Sequence, residues 1–144
     1  MRAEPTVSVS VVTRDRPQLL ADALACIAAQ SPAPLEVRVG DDGGGGATAV
    51  AEAMPMLELT VLPLSFGQAG AARNAAAAGA RGDVLAFLDD DDLWLPGHLA
   101  GLVTAFADDD VGFAWRDSDI VREAVAADGT RTALERRRLA RDWD

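Results

Sequence analysis

Residues 84–92 read VLAFLDDDD. Five apolar residues in a row, preceded by Gly82, are too few for a helix and read as a buried strand. Four carboxylates follow at once. Neighbouring like charges repel, so such a run needs solvent or a cation. In an extended chain Asp89 and Asp91 point to one side. Two carboxylates that leave positions open suit Mg²⁺ or Mn²⁺ held jointly with substrate phosphates. The alternative is a solvated acidic turn, and residues 108–110 (DDD), between a helix and a strand, are read that way. Directly after the most apolar strand, which is expected to be the most buried, the cation reading is preferred.

Working outward, β-branched residues 7–12 (VSVSVV) read as another buried strand. Pro17 opens a helix that runs to Gln30, with Leu19, Leu20, Ala23, Leu24 and Ile27 at helical spacing. Residues 35–39 (LEVRV) alternate as a second strand. Residues 40–46 (GDDGGGG) form a glycine-rich loop, a short helix is expected over 47–53, and a third strand over 57–62. Residues 68–79 are Ala-rich and helical. After the acidic run, Pro96 starts a helix to about Phe106, and 111–115 read as a fifth strand. Asp128-Gly129 marks a turn between two polar arms, a hairpin signal. Residues 134–141, which include Arg136, Arg137 and Arg138, read as helical. Strand and helix alternate four times, which argues for an α/β fold with a mostly parallel sheet flanked by helices. With no repeat or linker, residues 1–144 read as one domain.

Composition narrows the chemistry. Of the 144 residues 49% are hydrophobic and 25% charged, enough for a packed core. All 13 basic residues are Arg. Without Lys there is no P-loop lysine, no pyridoxal Schiff base and no receiver-domain lysine. His98 is the one histidine, so a catalytic triad or histidine zinc site would rest on it alone. Cys26 is the one cysteine, which excludes an internal disulfide and a CxxC pair; it reads as core. The net charge of -10 argues against a nucleic-acid partner. No run is long enough to span a membrane and no signal peptide is evident, so a cytoplasmic location is expected.

In open α/β sheets ligands bind beyond the carboxyl ends of the strands. Three such ends carry polar groups: residues 13–16 (TRDR), Asp41-Asp42 and residues 89–92. A parallel sheet brings them to one edge. Asp42 with its glycines suits a nucleoside, or a plain flexible turn; the loop is not the dinucleotide fingerprint, which follows the first strand. Arg73, beside the small residues 70–72, suits bidentate phosphate contact or an ordinary surface. Trp94 reads as a packing anchor, and His98 as a surface residue or one lying just behind the aspartates.

These segments, in this order and spacing, resemble the family 2 glycosyltransferases of the GT-A fold. The resemblance runs over residues 6–102, roughly two thirds of the chain. It implies an inverting enzyme that takes a sugar from a nucleotide-diphosphate donor, with Mg²⁺ or Mn²⁺ as cofactor. It implies nucleoside contacts at Thr13 and Asp42, with Asp42 reading the base, uridine or thymidine both fitting. It places Arg73 near the diphosphate and the DxD motif on Asp89 and Asp91. Asp91 is then the metal ligand, Asp89 lies near ribose or metal, Asp90 fills the variable middle position, and Asp92 is structural.

Two departures accompany the match. Gly44 stands where the DDGS-like motif has Ser, which removes a cap for the next helix. The chain is also short, as if the acceptor-binding half with its catalytic carboxylate were largely missing. Asp117 and Asp119 are the nearest substitutes for that base, and Asp142-Trp143-Asp144 matches the later acidic motif only superficially. The competing reading is a truncated domain that binds nucleotide diphosphate and metal but turns over poorly. A nucleotidyltransferase lacks its glycine loop here. A truncated sheet would expose apolar surface where the missing half packs, which favours a homodimer or poor solubility.

Overall fold

A computed structural model of the chain describes residues 3–139. The chain divides at the Gly112–Phe113 junction into two compact units, a boundary that the sequence does not announce. The first holds β1 (Val7–Thr13), α1 (Pro17–Ala28), β2 (Glu36–Asp41), α2 (Ala47–Glu52), β3 (Leu59–Pro63), α3 (Ala69–Ala77), β4 (Val84–Asp89) and α4 (His98–Ala105). The second is a hairpin of β5 (Asp119–Val125) and β6 (Arg131–Arg138).

The four strands of the first unit form a parallel sheet in the order β3-β2-β1-β4. β1 is central, and its residues are buried save for a partly exposed Val12. β4, the most apolar strand by sequence, is an edge strand, and Phe87 on it is 49% exposed. The expectation that the acidic run follows the most buried strand is therefore corrected. An apolar sequence shows that a strand has few polar groups, not which neighbours it receives.

The two sheet faces are built differently. Val9, Val11, Val37 and Val39 are fully buried, as are Leu20, Leu24 and Ile27 of α1. The other face, with Ser8, Ser10 and Gly40, accepts α3 at short range. A Cβ on Gly40 would lie 3.2 Å from the Ala72 carbonyl oxygen and 3.1 Å from Leu64 Cδ1. Gly40 on the sheet meets Ala72 and Ala76 on the helix, so the two backbones approach closely. The Arg38 Nε donates to the Ala76 carbonyl at 2.6 Å and fixes the helix lengthwise.

The far edge of the sheet is tied by Glu36, which is 2% exposed. It accepts hydrogen bonds from Ser8 Oγ and the Arg81 amide, both at 2.7 Å. Burial pushes its carboxyl up, but these donors and the Arg81 guanidinium outweigh burial and hold it below its ordinary value.

Two expected elements differ. Residues 111–115 form no strand, and Phe113 and Trp115 are 76% and 66% exposed. They find no ladder partner among the described residues, and a strand needs one. Residues 131–138 are strand rather than helix, because the Asp128-Gly129 turn pairs them with β5 in the predicted hairpin. Residues 140–141 and the Asp142-Trp143-Asp144 segment lie outside the described residues.

Candidate functional site

The ladder registers align the strand ends. Thr13 pairs with Asp41, Val12 with Asp89, and Asp41 with Pro63. The polar residues after each strand therefore meet at one rim, as the alternation predicts. A cleft of about 450 Å³ opens there, within the range of ligand pockets. Thr13, Arg14, Arg16, Asp42, Arg73, Asp89, Asp90 and Asp91 all line it.

The acidic run does not stay extended. The Asp92 amide donates to the Asp89 carbonyl at 3.0 Å, which closes a turn. Asp89 and Asp91 thus do not share a side by strand alternation. The turn gathers them another way: Asp89, Asp91 and Asp92 are exposed, and one oxygen from each lies within 4.8 Å of the others. Burial, then the charges of Asp91 and Asp89, push the Asp92 carboxyl up.

Asp90 turns inward and is 1% exposed. Its Oδ2 accepts from Thr13 Oγ1 at 2.7 Å. Arg16 grips it with Nε at 3.1 Å and Nη2 at 2.5 Å. Burial pushes the Asp90 carboxyl up, against the pull of Thr13 and Arg16. The variable middle residue of the motif is thus the anchor of the turn. A run of identical aspartates carries no internal signal of which one faces inward.

The remaining arginine contacts link the cleft's walls. Arg16 Nη1 reaches Asp91 Oδ2 at 3.1 Å. Arg73 Nη2 meets Asp89 Oδ1 at 2.5 Å, so α3 and the acidic turn are joined directly. Arg14 lies beside Gly43 and Gly67, and among the described residues it has no carboxylate partner.

At the other end of the cleft Asp42, 6% exposed, accepts the Phe66 amide on Oδ1 at 2.5 Å. Its own amide donates to the Thr13 carbonyl at 2.9 Å. Thr13 therefore ties the two ends together, with its hydroxyl on Asp90 and its carbonyl on Asp42. Asp41 Oδ2 accepts the Ala47 amide at 3.2 Å, so α2 has a carboxylate at its start although Gly44 stands in place of Ser. A side chain at Gly44 is unwelcome: φ is +76° and a Cβ would fall 1.8 Å from Asp15 Oδ1.

The segment behind the acidic turn is fixed by Gln30, just past the end of α1, and by Cys26 within it. Gln30 Nε2 donates to the Leu95 carbonyl at 3.2 Å, and its Oε1 accepts the Leu99 amide at 3.2 Å. Trp94 is buried, as expected of an anchor, and His98 stacks on it with centroids 4.4 Å apart. Cys26 Sγ accepts the Trp94 amide at 3.2 Å and is half-buried rather than core; burial pushes its thiol up. In the second unit Asp119 Oδ2 accepts Arg136 Nε at 2.6 Å, and Asp117 pairs with Arg138 at 3.6 Å. No helix among the described residues is long and apolar enough to cross a membrane.

Comparison with known proteins gives this rim a context. The family model described as glycosyl transferase family 2 matches residues 8–139. The uncharacterized glycosyltransferase YwdF of Bacillus subtilis (strain 168) is 31% identical over 135 residues, 93% of this chain and 49% of that protein. The uncharacterized glycosyltransferase alr2836 of Nostoc is 32% identical over 120 residues, 80% of this chain and 37% of that protein. The chain thus spans less than half the length of these relatives. Among solved structures, the mannosyltransferase PcManGT from Pyrobaculum calidifontis, in complex with GDP-Man and Mn²⁺, aligns with TM-score 0.67 and 33% identity. That match covers 76% of this chain and 34% of the other. TarS of S. aureus in complex with UDP-GlcNAc aligns with TM-score 0.64 and 28% identity, over 71% and 31%. These neighbours bear out the α/β, GT-A type fold expected from the sequence.

Proposed function

The chain belongs to glycosyl transferase family 2, and on that premise we propose that it forms the donor-binding part of an inverting glycosyltransferase. The donor is a nucleotide-diphosphate sugar, the acceptor a hydroxyl compound, and the helper a divalent cation. One observation carries this reading: a single cleft collects Thr13, Asp42, Arg73, Asp89 and Asp91 from four separate stretches of chain. The complexes of two neighbours with GDP-Man and with UDP-GlcNAc support a nucleotide-sugar donor.

Asp42 receives an N–H of the base on Oδ2, while the Thr13 backbone sets its position. Arg73 faces the diphosphate and forms charge-assisted hydrogen bonds to it. The carboxylates of Asp89, Asp91 and Asp92 are hard oxygen donors close together, a set that fits Mg²⁺ or Mn²⁺ shared with phosphate oxygens. A divalent cation held by these carboxylates would supply electrostatic stabilisation for a departing diphosphate. Arg73 adds to this from the opposite wall. The acceptor proton needs a base within hydrogen-bond reach. Asp117 and Asp119 are poor choices, since each is engaged by an arginine of the hairpin. That engagement favours a second reading, in which this stretch binds donor and cation without turnover by itself. Both readings keep the cytoplasmic location, and both leave Phe87 and Leu95 available for self-association.

Calorimetric titration of UDP and GDP, with and without Mn²⁺, tests the reading on the wild type and on Asp91→Ala. Cation-dependent binding that disappears in the variant is expected. No binding of either nucleotide under any condition overturns it.

A further inference from the structure

Arg16 and Arg73 commit their guanidinium groups to the acidic turn, and Arg14 does not. Asp15 takes a left-handed backbone, φ +53°, so the chain turns there, and Arg14 lines the cleft while Asp15 does not. The Arg14 side chain runs between glycines from two separate loops. A Cβ on Gly43 would lie 3.2 Å from Arg14 Cγ and 3.6 Å from its Nε, and one on Gly67 would lie 3.8 Å from Nη1. Each glycine adjoins a residue that fixes the inner end of the cleft. Gly43 follows Asp42, and Gly67 follows Phe66, whose amide donates to Asp42. The donors of Arg14 thus lie in the same part of the cleft as the acceptor Asp42, and among the described residues no carboxylate binds them.

We infer that Arg14 is a specificity-determining residue of the donor site: with Asp42 it selects guanine, so the donor is a guanosine-diphosphate sugar rather than the uridine or thymidine one that the resemblance implies. This rests on the donor-binding reading given above. An ionised Asp42 only accepts, and Arg14 only donates, through a planar fork. Guanine answers each with a pair of groups on adjoining edges: N1–H and the 2-amino group donate, while O6 and N7 accept. Uracil has N3–H alone for the carboxylate and O4 alone for the guanidinium beside it. Adenine sets an amino donor next to N7, against half of the fork. One structural neighbour is in complex with GDP-Man and another with UDP-GlcNAc, so the fold admits either base and the choice falls to side chains.

Calorimetric titration of the whole chain with GDP, UDP and 7-deaza-GDP, each with Mn²⁺, tests this on the wild type and on Arg14→Met. 7-deaza-GDP carries a C–H where guanine N7 accepts. Arg14 is exposed, so its replacement spares the core. The wild type is expected to bind GDP about tenfold more tightly than UDP, and 7-deaza-GDP about threefold more weakly than GDP. Arg14→Met is expected to bring GDP close to the UDP level and to bind GDP and 7-deaza-GDP alike. An equal loss of GDP and UDP in Arg14→Met would put the guanidinium on the diphosphate and overturn the inference. A wild type that binds UDP as tightly as GDP, or does not distinguish 7-deaza-GDP from GDP, overturns it without recourse to the variant. A wild type that binds neither nucleotide, with or without Mn²⁺, overturns the donor reading itself, which separates the two failures.

Discussion

Thr13→Val removes one oxygen and keeps the shape of a side chain that is 3% exposed. The lost contact is the 2.7 Å hydrogen bond to Asp90 Oδ2, inside a region where Asp90 has almost no access to water. A hydrogen bond to a charged acceptor contributes ~1.5–3 kcal/mol, and losing the donor leaves a buried acceptor short of a partner. Arg16 still holds both Asp90 oxygens, which places the cost toward the lower part of that range, about 2 kcal/mol. That is roughly a thirtyfold change in the ratio of folded to unfolded chain. With a urea slope of about 2 kcal/mol/M, the unfolding midpoint falls by about 1 M at constant slope. Loss of the donor also pushes the Asp90 carboxyl further up, so the gap between variant and wild type narrows as the pH is lowered. Urea unfolding followed by far-ultraviolet circular dichroism, at neutral pH and at pH 5, measures both effects. A loss below about 0.5 kcal/mol at unchanged slope, or a gap that widens in acid, would refute the role assigned to the Thr13 hydroxyl.

Two further outcomes follow from the sheet. Glu36 is held below its ordinary value, so it contributes stability above the unfolded carboxyl value of about 4.3 and loses it as the pH falls through the lower folded value. Glu36→Gln should flatten the acid limb of the stability profile, and a limb as steep as that of the wild type would count against the Ser8–Glu36–Arg81 tie. Gly40→Val sets methyl groups against the Ala72 carbonyl and Leu64, which should cost about 1–3 kcal/mol and weaken nucleotide binding by displacing α3 and Arg73. Unchanged nucleotide affinity in a folded Gly40→Val would show that the spacing of α3 from the sheet does not set the position of Arg73.

The sheet was legible because its cues are local and repeated. A β-branched run at 7–12 and an alternating one at 35–39, separated by an amphipathic helix with Pro17 at its start, admit few other arrangements. The convergence of residues 13–16, 41–42 and 89–92 follows from parallel pairing alone. What sequence left undecided was direction within a run. Among four aspartates, the inward one is chosen by partners 74 and 77 residues away, Arg16 and Thr13. The edge position of β4 was hidden for the same reason, since strand order depends on neighbours rather than composition. Residues 134–141 read as helical because arginines are good helix formers, yet pairing across Asp128-Gly129 overrides a propensity of a few tenths of a kcal/mol per residue.

The bond from Thr13 to Asp90 also sets a timetable for folding. Loop closure grows slower and costlier with the length of chain to be closed. β1 meets β2 across 28 residues, as Ser8 and Glu36 do, but meets the acidic turn only across 77. The helices and the β1–β2 pair can form while the carboxylates of the turn are still apart. The cleft is thus incomplete in any partly folded chain that lacks β4. A nascent chain on the ribosome acquires the rim only after Asp92 has emerged.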